Sequence, residues 1–146
     1  MNLLDVRFPK KKCIIFENQE ITYEQLDNYV NKLSFFLTDN LKIKKGDRIL
    51  LDLQSSPHFI ISYYAILKSG CVVVPISPMS VRNEIEHYIQ DSGSKVAIFA
   101  EESLAHFSDF IGAELNNSIC CDYTFKKSTK SKDKTNENIT FLNYIL

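Results

Sequence analysis

Four single glycines divide the chain into units of similar length, and this arrangement limits the folds that suit the sequence. Gly46, Gly70, Gly93 and Gly112 each follow a helix-like segment and precede a strand-like run. Because glycine adopts the left-handed conformation at little steric cost, each one is predicted to end a helix. Helices that alternate with strands in this way indicate βαβ units. We therefore predict an α/β fold, with a doubly wound, mostly parallel sheet and flanking helices.

The first unit has the clearest helix start. Thr22 can cap a helix N-terminus while Gln25 reaches back to it, which is a capping box. Ile21 and Leu26 flank this box where a hydrophobic staple requires them. Apolar residues then recur every three or four positions and predict one buried helical face, formed by Leu26, Val30, Leu33 and Leu37.

The later units repeat this pattern. Ser56 is a predicted N-cap, and Pro57 suits the first helical position. The predicted buried face of this second helix consists of Phe59, Ile60, Tyr63 and Leu67. Two further helices are predicted over residues 80–93 and from about 101 to 112. The predicted strands cover residues 12–16, 49–53, 71–74, 96–99 and 119–123.

These elements place one α/β subdomain, made of βαβ repeats, in residues 1–125. Residues 126–138 contain no apolar side chain, so they are predicted to form a polar linker or surface loop. Residues 139–146 are mostly apolar. We expect this tail to lead toward a downstream region that supplies its partner surface.

The charge balance excludes several classes of function. The sequence has 17 basic and 18 acidic side chains, a net charge of -1, which gives no field that would hold nucleic acid or an anionic membrane. No stretch approaches the roughly 20 apolar residues that span a bilayer. Residues 1–12 lack the features of a signal peptide. The sequence therefore predicts a cytoplasmic protein without a nucleic-acid partner.

The four cysteines are predicted to pack in the core rather than to form disulfides. Cys13 and Cys71 fall in apolar, strand-like runs, where a reduced cysteine behaves as a small hydrophobe. Cys120 and Cys121 are adjacent, so on a strand their side chains would point to opposite faces of the sheet.

Motifs for phosphate binding or nucleophilic catalysis are absent from the sequence. Backbone amides bind phosphate where glycines cluster in a turn before a helix, but here the glycines are placed singly and none opens a helix. No serine occupies a nucleophile elbow of the GxSxG type. The sequence therefore predicts no catalytic, cofactor-binding or metal-binding residue in this chain.

Two histidines have an acid four residues away. His87 precedes Asp91, and His106 follows Glu102, each pair on one predicted helix. A metal site would need a third ligand, which neither helix offers. We therefore expect exposed ion pairs on the helix surface. His58 lies alone on the second helix.

Asp52 is singled out by its position near the carboxyl end of a predicted parallel strand. Ligands of open α/β sheets bind at that edge. The simpler alternative is that the carboxylate accepts hydrogen bonds from nearby backbone, and this is the interpretation we favour. A receiver-type acidic site would also need an acidic pair on the first strand and a later lysine, and neither is evident.

Three segments together resemble the opening of adenylate-forming enzymes, which are the acyl-CoA synthetases, related ligases and peptide-synthetase adenylation domains. The segments are ITYEQLDNYVNKLSFFL with KKGDRILLDL (21–37 and 44–53), LKSGCVVVPISP (67–78) and NEIEHYIQDSGSKVAI (83–98). They occur in the family's order and cover about residues 12–100. Ser77, Pro78 and the third segment are closer to fatty-acyl-CoA ligases than to peptide-synthetase domains.

The resemblance implies a two-step reaction for a parent enzyme. A carboxylate attacks the α-phosphate of ATP with Mg²⁺, and a thiol, usually coenzyme A, then takes the acyl group. In the family, the phosphate loop, the acyl pocket and the mobile C-terminal domain lie downstream of the segments matched here, so no catalytic residue is carried over. ATP, Mg²⁺ and coenzyme A are thus implied for the parent but not for this chain alone.

Two functional hypotheses remain open at this point. One is an N-terminal subdomain of an acyl-CoA synthetase that is structural in role and inactive alone, with the rest of the ligase as its partner. The other is a freestanding interaction or regulatory protein derived from such a ligase, which docks on a partner protein. Unpaired sheet edges also make self-association an expectation to test. An unrelated small α/β binding domain is disfavoured by the ordered motifs.

Overall fold

The computed structural model describes residues 7–125 and 137–146, in which strands and helices alternate. The strands are β1 (Lys12–Phe16), β2 (Gln19–Thr22), β3 (Arg48–Asp52), β4 (Val72–Pro75), β5 (Val96–Ala100), β6 (Asn117–Cys121) and β7 (Ile139–Phe141). The helices are α1 (Tyr23–Phe35), α2 (Pro57–Lys68), α3 (Arg82–Ser92), α4 (Leu104–Phe107) and α5 (Leu142–Ile145). A π-helical turn, Phe36–Asn40, follows α1, and a 3₁₀ turn, Glu101–Ser103, precedes α4.

The central sheet has five parallel strands in the order β4-β3-β5-β6-β7. Strands β1 and β2 pair separately as an antiparallel hairpin. The predicted α/β fold with a mostly parallel sheet is therefore confirmed. The strands that were predicted from the sequence are all present, with ends that differ by one or two residues.

Helices cover both faces of the sheet, as a doubly wound fold requires. Alternate residues of a strand point to opposite faces, so Ile49 and Leu51 of β3 pack with α1 and α2 whereas Leu50 packs with α3 and α4. Cys120 and Cys121 likewise belong to the two different cores, as predicted. Within the described residues, no helix is long and apolar enough to cross a membrane.

Helix α1 begins as the sequence predicts. The Thr22 hydroxyl accepts a hydrogen bond from the Gln25 backbone at 3.3 Å, and the Gln25 side chain accepts one from the Thr22 backbone at 2.9 Å. These reciprocal bonds satisfy two amides that have no partner inside the helix. The staple residues Ile21 and Leu26 are buried. The predicted apolar face is buried throughout, at Leu26, Val30, Leu33 and Leu37.

Helix α2 has the predicted caps but not the predicted orientation. The Ser56 hydroxyl accepts a hydrogen bond from the Phe59 backbone, and Pro57 is the first helical residue. The sequence prediction of its buried face is wrong, because Tyr63 is 37% exposed and Phe59, Ile60 and Leu67 are only half-buried. The fully buried face is instead formed by Pro57, His58, Ile61, Ser62, Ala65 and Ile66, while Phe59 and Ile60 pack against the core as half-buried residues.

The predicted fourth helix is shorter than expected. Helix α4 ends at Phe107, and tight turns follow in which the Phe110 amide donates to the Phe107 carbonyl. Phe110, Ile111 and Leu115 enter the core beside α3 from these turns. Gly112 therefore lies in a turn and does not end a helix.

Glycine ends a helix at two of the four predicted places. Gly93 is the left-handed C-cap of α3, with φ of 64°, and Gly70 directly follows the last residues of α2. Gly46 lies in a turn several residues beyond the end of the first helix, where its amide donates to the Gly70 carbonyl at 2.9 Å. The prediction is therefore wrong for Gly46 as well as for Gly112.

The apolar segment at 139–146 packs on the sheet of this chain. Strand β7 pairs with β6 in parallel, with Ser118 opposite Ile139. Leu142 of α5 is 1% exposed and joins the core beneath α1. Of the predicted linker 126–138, residues 126–136 lie outside the described residues.

Candidate functional site

The carboxyl ends of β3, β5 and β6 meet at one edge of the sheet because these strands are parallel. Asp52 ends β3, the 3₁₀ turn at Glu101–Ser103 follows β5, and the segment 122–125 follows β6. The loop 53–56 then leads from β3 into α2. This edge therefore collects most of the polar residues that the sequence singled out.

Asp52 is buried without full hydrogen bonding. Its side chain is 1% exposed, and Oδ1 has no hydrogen-bond partner among the described residues. The Ser103 side chain lies next to the carboxylate. The favoured expectation that Asp52 accepts bonds from nearby backbone is therefore wrong. Burial raises the pKa of Asp52, while the neighbouring Ser103 side chain and the charge of His106 oppose that rise.

Tyr123 connects this edge to the loop before α2. Its hydroxyl accepts a hydrogen bond from the Gln54 backbone amide at 2.9 Å. The residue has φ of 57°, a left-handed conformation that is uncommon for an aromatic residue. Burial raises the pKa of the Tyr123 hydroxyl. The strained backbone is thus held by a directed side-chain contact.

His58 is a buried structural residue of α2. Its Nε2 lies 3.2 Å from the Thr124 carbonyl, which can only accept, so this nitrogen carries the proton. Its ring stacks on Phe125 at 4.3 Å between centroids, and Phe125 stacks in turn on Tyr29 at 5.1 Å. Burial lowers the pKa of His58, so the ring is neutral at pH 7. The histidine therefore anchors the segment 122–125 to α1 and α2.

A cleft of about 230 Å³ opens between the β1–β2 hairpin and the start of α2. Glu17, at the hairpin turn, has a left-handed backbone with φ of 52°. Both polar side chains and aromatic rings line the cleft. Its lining residues are Phe16, Glu17, Gln19, Gln54, Ser55, Ser56, Pro57, His58 and Tyr123.

The two histidine–acid pairs do not form the expected ion pairs. In the described part of the chain, neither His87 with Asp91 nor His106 with Glu102 comes within ion-pair distance. Ion pairs between described residues include Lys12–Glu20, Lys68–Asp27, Arg82–Glu86 and Arg82–Asp109. The expectation that these two histidines form exposed ion pairs is therefore wrong.

The edge offers hydrogen bonding but no assembled metal site or reactive thiol. Among residues 7–125 and 137–146, no three histidine, cysteine or acidic side chains come together as metal ligands. All four cysteines are free, and burial raises the pKa of Cys120 and Cys121 to about 12. A thiol with so high a pKa is a poor nucleophile at neutral pH.

Sequence reasoning found Asp52 but missed the residues around it. Ser103 and Tyr123 reach this edge from distant parts of the chain, and local patterns do not report such contacts. The one available signal was position, since Tyr123 is the last residue of a predicted strand whose carboxyl end lies at the same edge. Nothing in the sequence indicated its left-handed backbone.

Comparison with known proteins shows which proteins this chain is similar to. The model of the family described as "AMP-binding enzyme" matches residues 5–140. A long-chain-fatty-acid–CoA ligase of Bacillus subtilis is 35% identical over 92 residues, which are 63% of this chain and 16% of that protein. A ligase of the same name from Yersinia pestis is 28% identical over 101 residues, which are 69% of this chain and 18% of that protein.

The fold also recurs in a solved ligase. The coronafacic acid ligase of Pectobacterium brasiliense superposes with a TM-score of 0.78 and 28% sequence identity, covering 93% of this chain and 26% of that chain. The chain thus spans less than a fifth of the length of the two curated relatives and about a quarter of the solved one.

Proposed function

The chain belongs to the AMP-binding enzyme family, and from that premise we propose that it is the N-terminal structural part of an ATP-dependent acid–CoA ligase. In this role it supplies the five-stranded sheet and one wall beside the substrate sites, and it is inactive alone. The proposal is carried by the family match over residues 5–140. It is supported by the two ligase relatives, in which the aligned residues make up only 16% and 18% of the protein.

The proposed reaction of the whole ligase has two steps. A carboxylate oxygen attacks the α-phosphorus of Mg²⁺-bound ATP, and pyrophosphate leaves to give an acyl-adenylate. The thiol of coenzyme A then attacks the acyl carbon, and AMP leaves. Fatty acids are the proposed substrate class, since both relatives described above are named as long-chain-fatty-acid–CoA ligases.

Residues of this chain contribute shape rather than chemistry in the proposal. Tyr123 and His58 fix the segment 122–125 against the loop before α2, and this defines the carboxyl edge of the sheet. Ligands of open α/β sheets bind at this edge, so its rigidity would position neighbouring segments that carry the catalytic groups. The single placement of all four glycines supports the absence of a phosphate loop here.

An enzymatic comparison tests the proposal. Native protein is immunopurified from source cells with an antibody against this domain, and carboxylate-dependent ATP–pyrophosphate exchange is measured beside the purified 146-residue chain. We expect exchange and fatty-acyl-CoA formation in the native material and neither activity in the isolated chain. Exchange by the isolated chain, or its absence from the native material, would contradict the proposal.

An immunoblot of the same cells separates the two hypotheses for the chain's natural context. A band several times heavier than 16.8 kDa supports the N-terminal part of a full ligase. A band near that mass with no ligase activity in the immunopurified material supports the alternative, a freestanding interaction protein.

A further inference from the structure

The cleft between the β1–β2 hairpin and the start of α2 is lined by two residues with an unusual backbone. These are Glu17, with φ of 52°, and Tyr123, with φ of 57°. Within the described chain, Lys42 is the third residue other than glycine that has a positive φ. This conformation is sterically unfavourable for residues with a side chain, and it recurs at ligand-binding sites, where surrounding contacts maintain it. The backbone thus marks the cleft as a candidate binding site.

His58 gives the cleft a hydrogen-bond acceptor that the protein itself does not use. The residue lines the cleft although it is only 1% exposed. Its Nε2 donates to the Thr124 carbonyl, so Nδ1 is the nitrogen with the free lone pair. In the part of the chain that is described, no group donates a hydrogen bond to Nδ1. A nearly buried ring with an unused acceptor is stabilised by a ligand that donates to it.

The charge of the cleft favours a ligand of positive charge. Glu17 brings a carboxylate that has no hydrogen-bond or ion-pair partner in the described part of the chain. The Ser56 hydroxyl accepts one bond, from the Phe59 amide, and keeps a second lone pair. Among the described residues, no lysine or arginine lines the cleft. An anion would therefore meet a like charge there without a cation to balance it.

Aromatic rings and the volume of the cleft limit the ligand further. Phe16 and Tyr123 both line the cleft, and the faces of aromatic rings attract organic cations. The volume is about 230 Å³, whereas one water molecule occupies about 30 Å³ of the liquid. The cleft therefore suits a ligand of about eight non-hydrogen atoms.

We propose that this cleft binds a small organic cation, which is a protonated primary amine with an apolar body. The three N–H donors of the ammonium group then have acceptors in the Glu17 carboxylate, Nδ1 of His58 and the Ser56 hydroxyl. The apolar body lies against the aromatic rings. The inference goes beyond the proposed function, because the carboxylate, ATP and coenzyme A of that reaction are all anions.

Saturation-transfer NMR at pH 7 tests the proposal on the immunopurified native protein and on the purified 146-residue chain. The probe is benzylamine, whose cation matches the cleft in size and joins an ammonium group to an apolar ring. Benzyl alcohol and benzoate are the neutral and anionic probes of similar size. We expect benzylamine to bind both proteins with a Kd of about 1 mM, which is typical of efficient ligands this small. Benzyl alcohol should bind at least about tenfold more weakly, and benzoate should not bind.

A matched pair of variants tests the role of the carboxylate. Glu17→Gln keeps the size of the side chain and removes its charge, so the Kd for benzylamine should rise at least about tenfold. The melting temperature should stay unchanged, because Glu17 is exposed. Glu20→Gln removes the same charge from an exposed position of the same hairpin that does not line the cleft. This variant should change the Kd by less than about twofold, since salt screens distant exposed charges.

The native protein gives the decisive result. Absence of benzylamine binding there, even if the isolated chain binds it, would overturn the proposal, because the cleft would then be closed or filled in the natural molecule. Equal binding of the three probes, or equal effects of Glu17→Gln and Glu20→Gln, would also overturn it. Ligase activity of the same native material tests the proposed function separately, so either conclusion can fail without the other.

Discussion

At the scale of single residues, Asp52 shows most clearly how tertiary contacts decide what a side chain does. Its position at the end of a strand was visible in the sequence, but its environment was not. The side chain lies among residues brought by the turn after β5, and one carboxylate oxygen has no partner in the described chain. A buried polar atom of this kind costs free energy.

Neutralising Asp52 should therefore stabilise the isolated chain. The pKa of Asp52 is raised in the folded chain, so the protonated carboxyl group favours the folded state. This contribution to stability is fully present below the pKa of the unfolded chain, about 3.9, and is lost as the pH rises through the pKa of the folded chain. Asp52→Asn should raise the free energy of unfolding by about 1 kcal/mol at pH 7 and by less at low pH. Urea unfolding at several pH values measures this difference.

The exposed carboxylate of Asp91 provides the matched control. Asp91→Asn should leave the free energy of unfolding within about 0.5 kcal/mol of the parent chain at every pH. An Asp52→Asn variant that is less stable than the parent at pH 7 would show that the buried carboxylate is favourably paired.

His58 should make the stability of the chain fall in mild acid. Its folded pKa is lowered, so the unfolded chain binds a proton first, at about pH 6.5. Stability from His58 is present above that pH and is lost as the pH falls through the folded pKa. His58→Gln should remove this part of the pH dependence, measured by urea unfolding between about pH 5 and pH 8. An unchanged pH profile in the variant would contradict a buried, neutral His58.

At the scale of elements, the sequence was most informative where local contacts set the structure. The capping box and the apolar face of α1 depend on residues three or four positions apart, and all were predicted. The length of the fourth helix was overestimated because Phe110, Ile111 and Leu115 reach the core from turns. Tertiary packing, and not the local sequence pattern, determines where this helix ends. In α2 the periodicity marked an apolar face correctly but could not say which of two such faces lies on the sheet.

Removal of the α1 cap should have a measurable cost. Thr22→Ala leaves the Gln25 amide without its side-chain acceptor, so the free energy of unfolding should fall by about 1 kcal/mol. Thr22→Ser keeps the hydroxyl and should retain most of the stability, which separates the hydrogen bond from other effects. Equal losses in the alanine and serine variants, measured by urea unfolding, would contradict the assigned capping role.

At the scale of the whole molecule, the parallel sheet followed from the alternation of helices and strands, whereas the place of the last segment did not. Strand β7 pairs with β6 through residues that lie well apart in the chain, such as Ser118 and Ile139. Local patterns do not encode such a pairing. The carboxyl-edge contacts of Asp52, Ser103 and Tyr123 escaped prediction for the same reason.

Calorimetric titration of the purified 146-residue chain with Mg²⁺–ATP tests the central claim most directly. Because the proposed nucleotide site lies in the remainder of the ligase and this chain is proposed to be a scaffold, we expect no saturable heat up to millimolar ATP. Circular dichroism should confirm that the chain is folded under the same conditions. Saturable one-to-one binding with a micromolar Kd would contradict the account, because the chain would then hold a nucleotide site of its own.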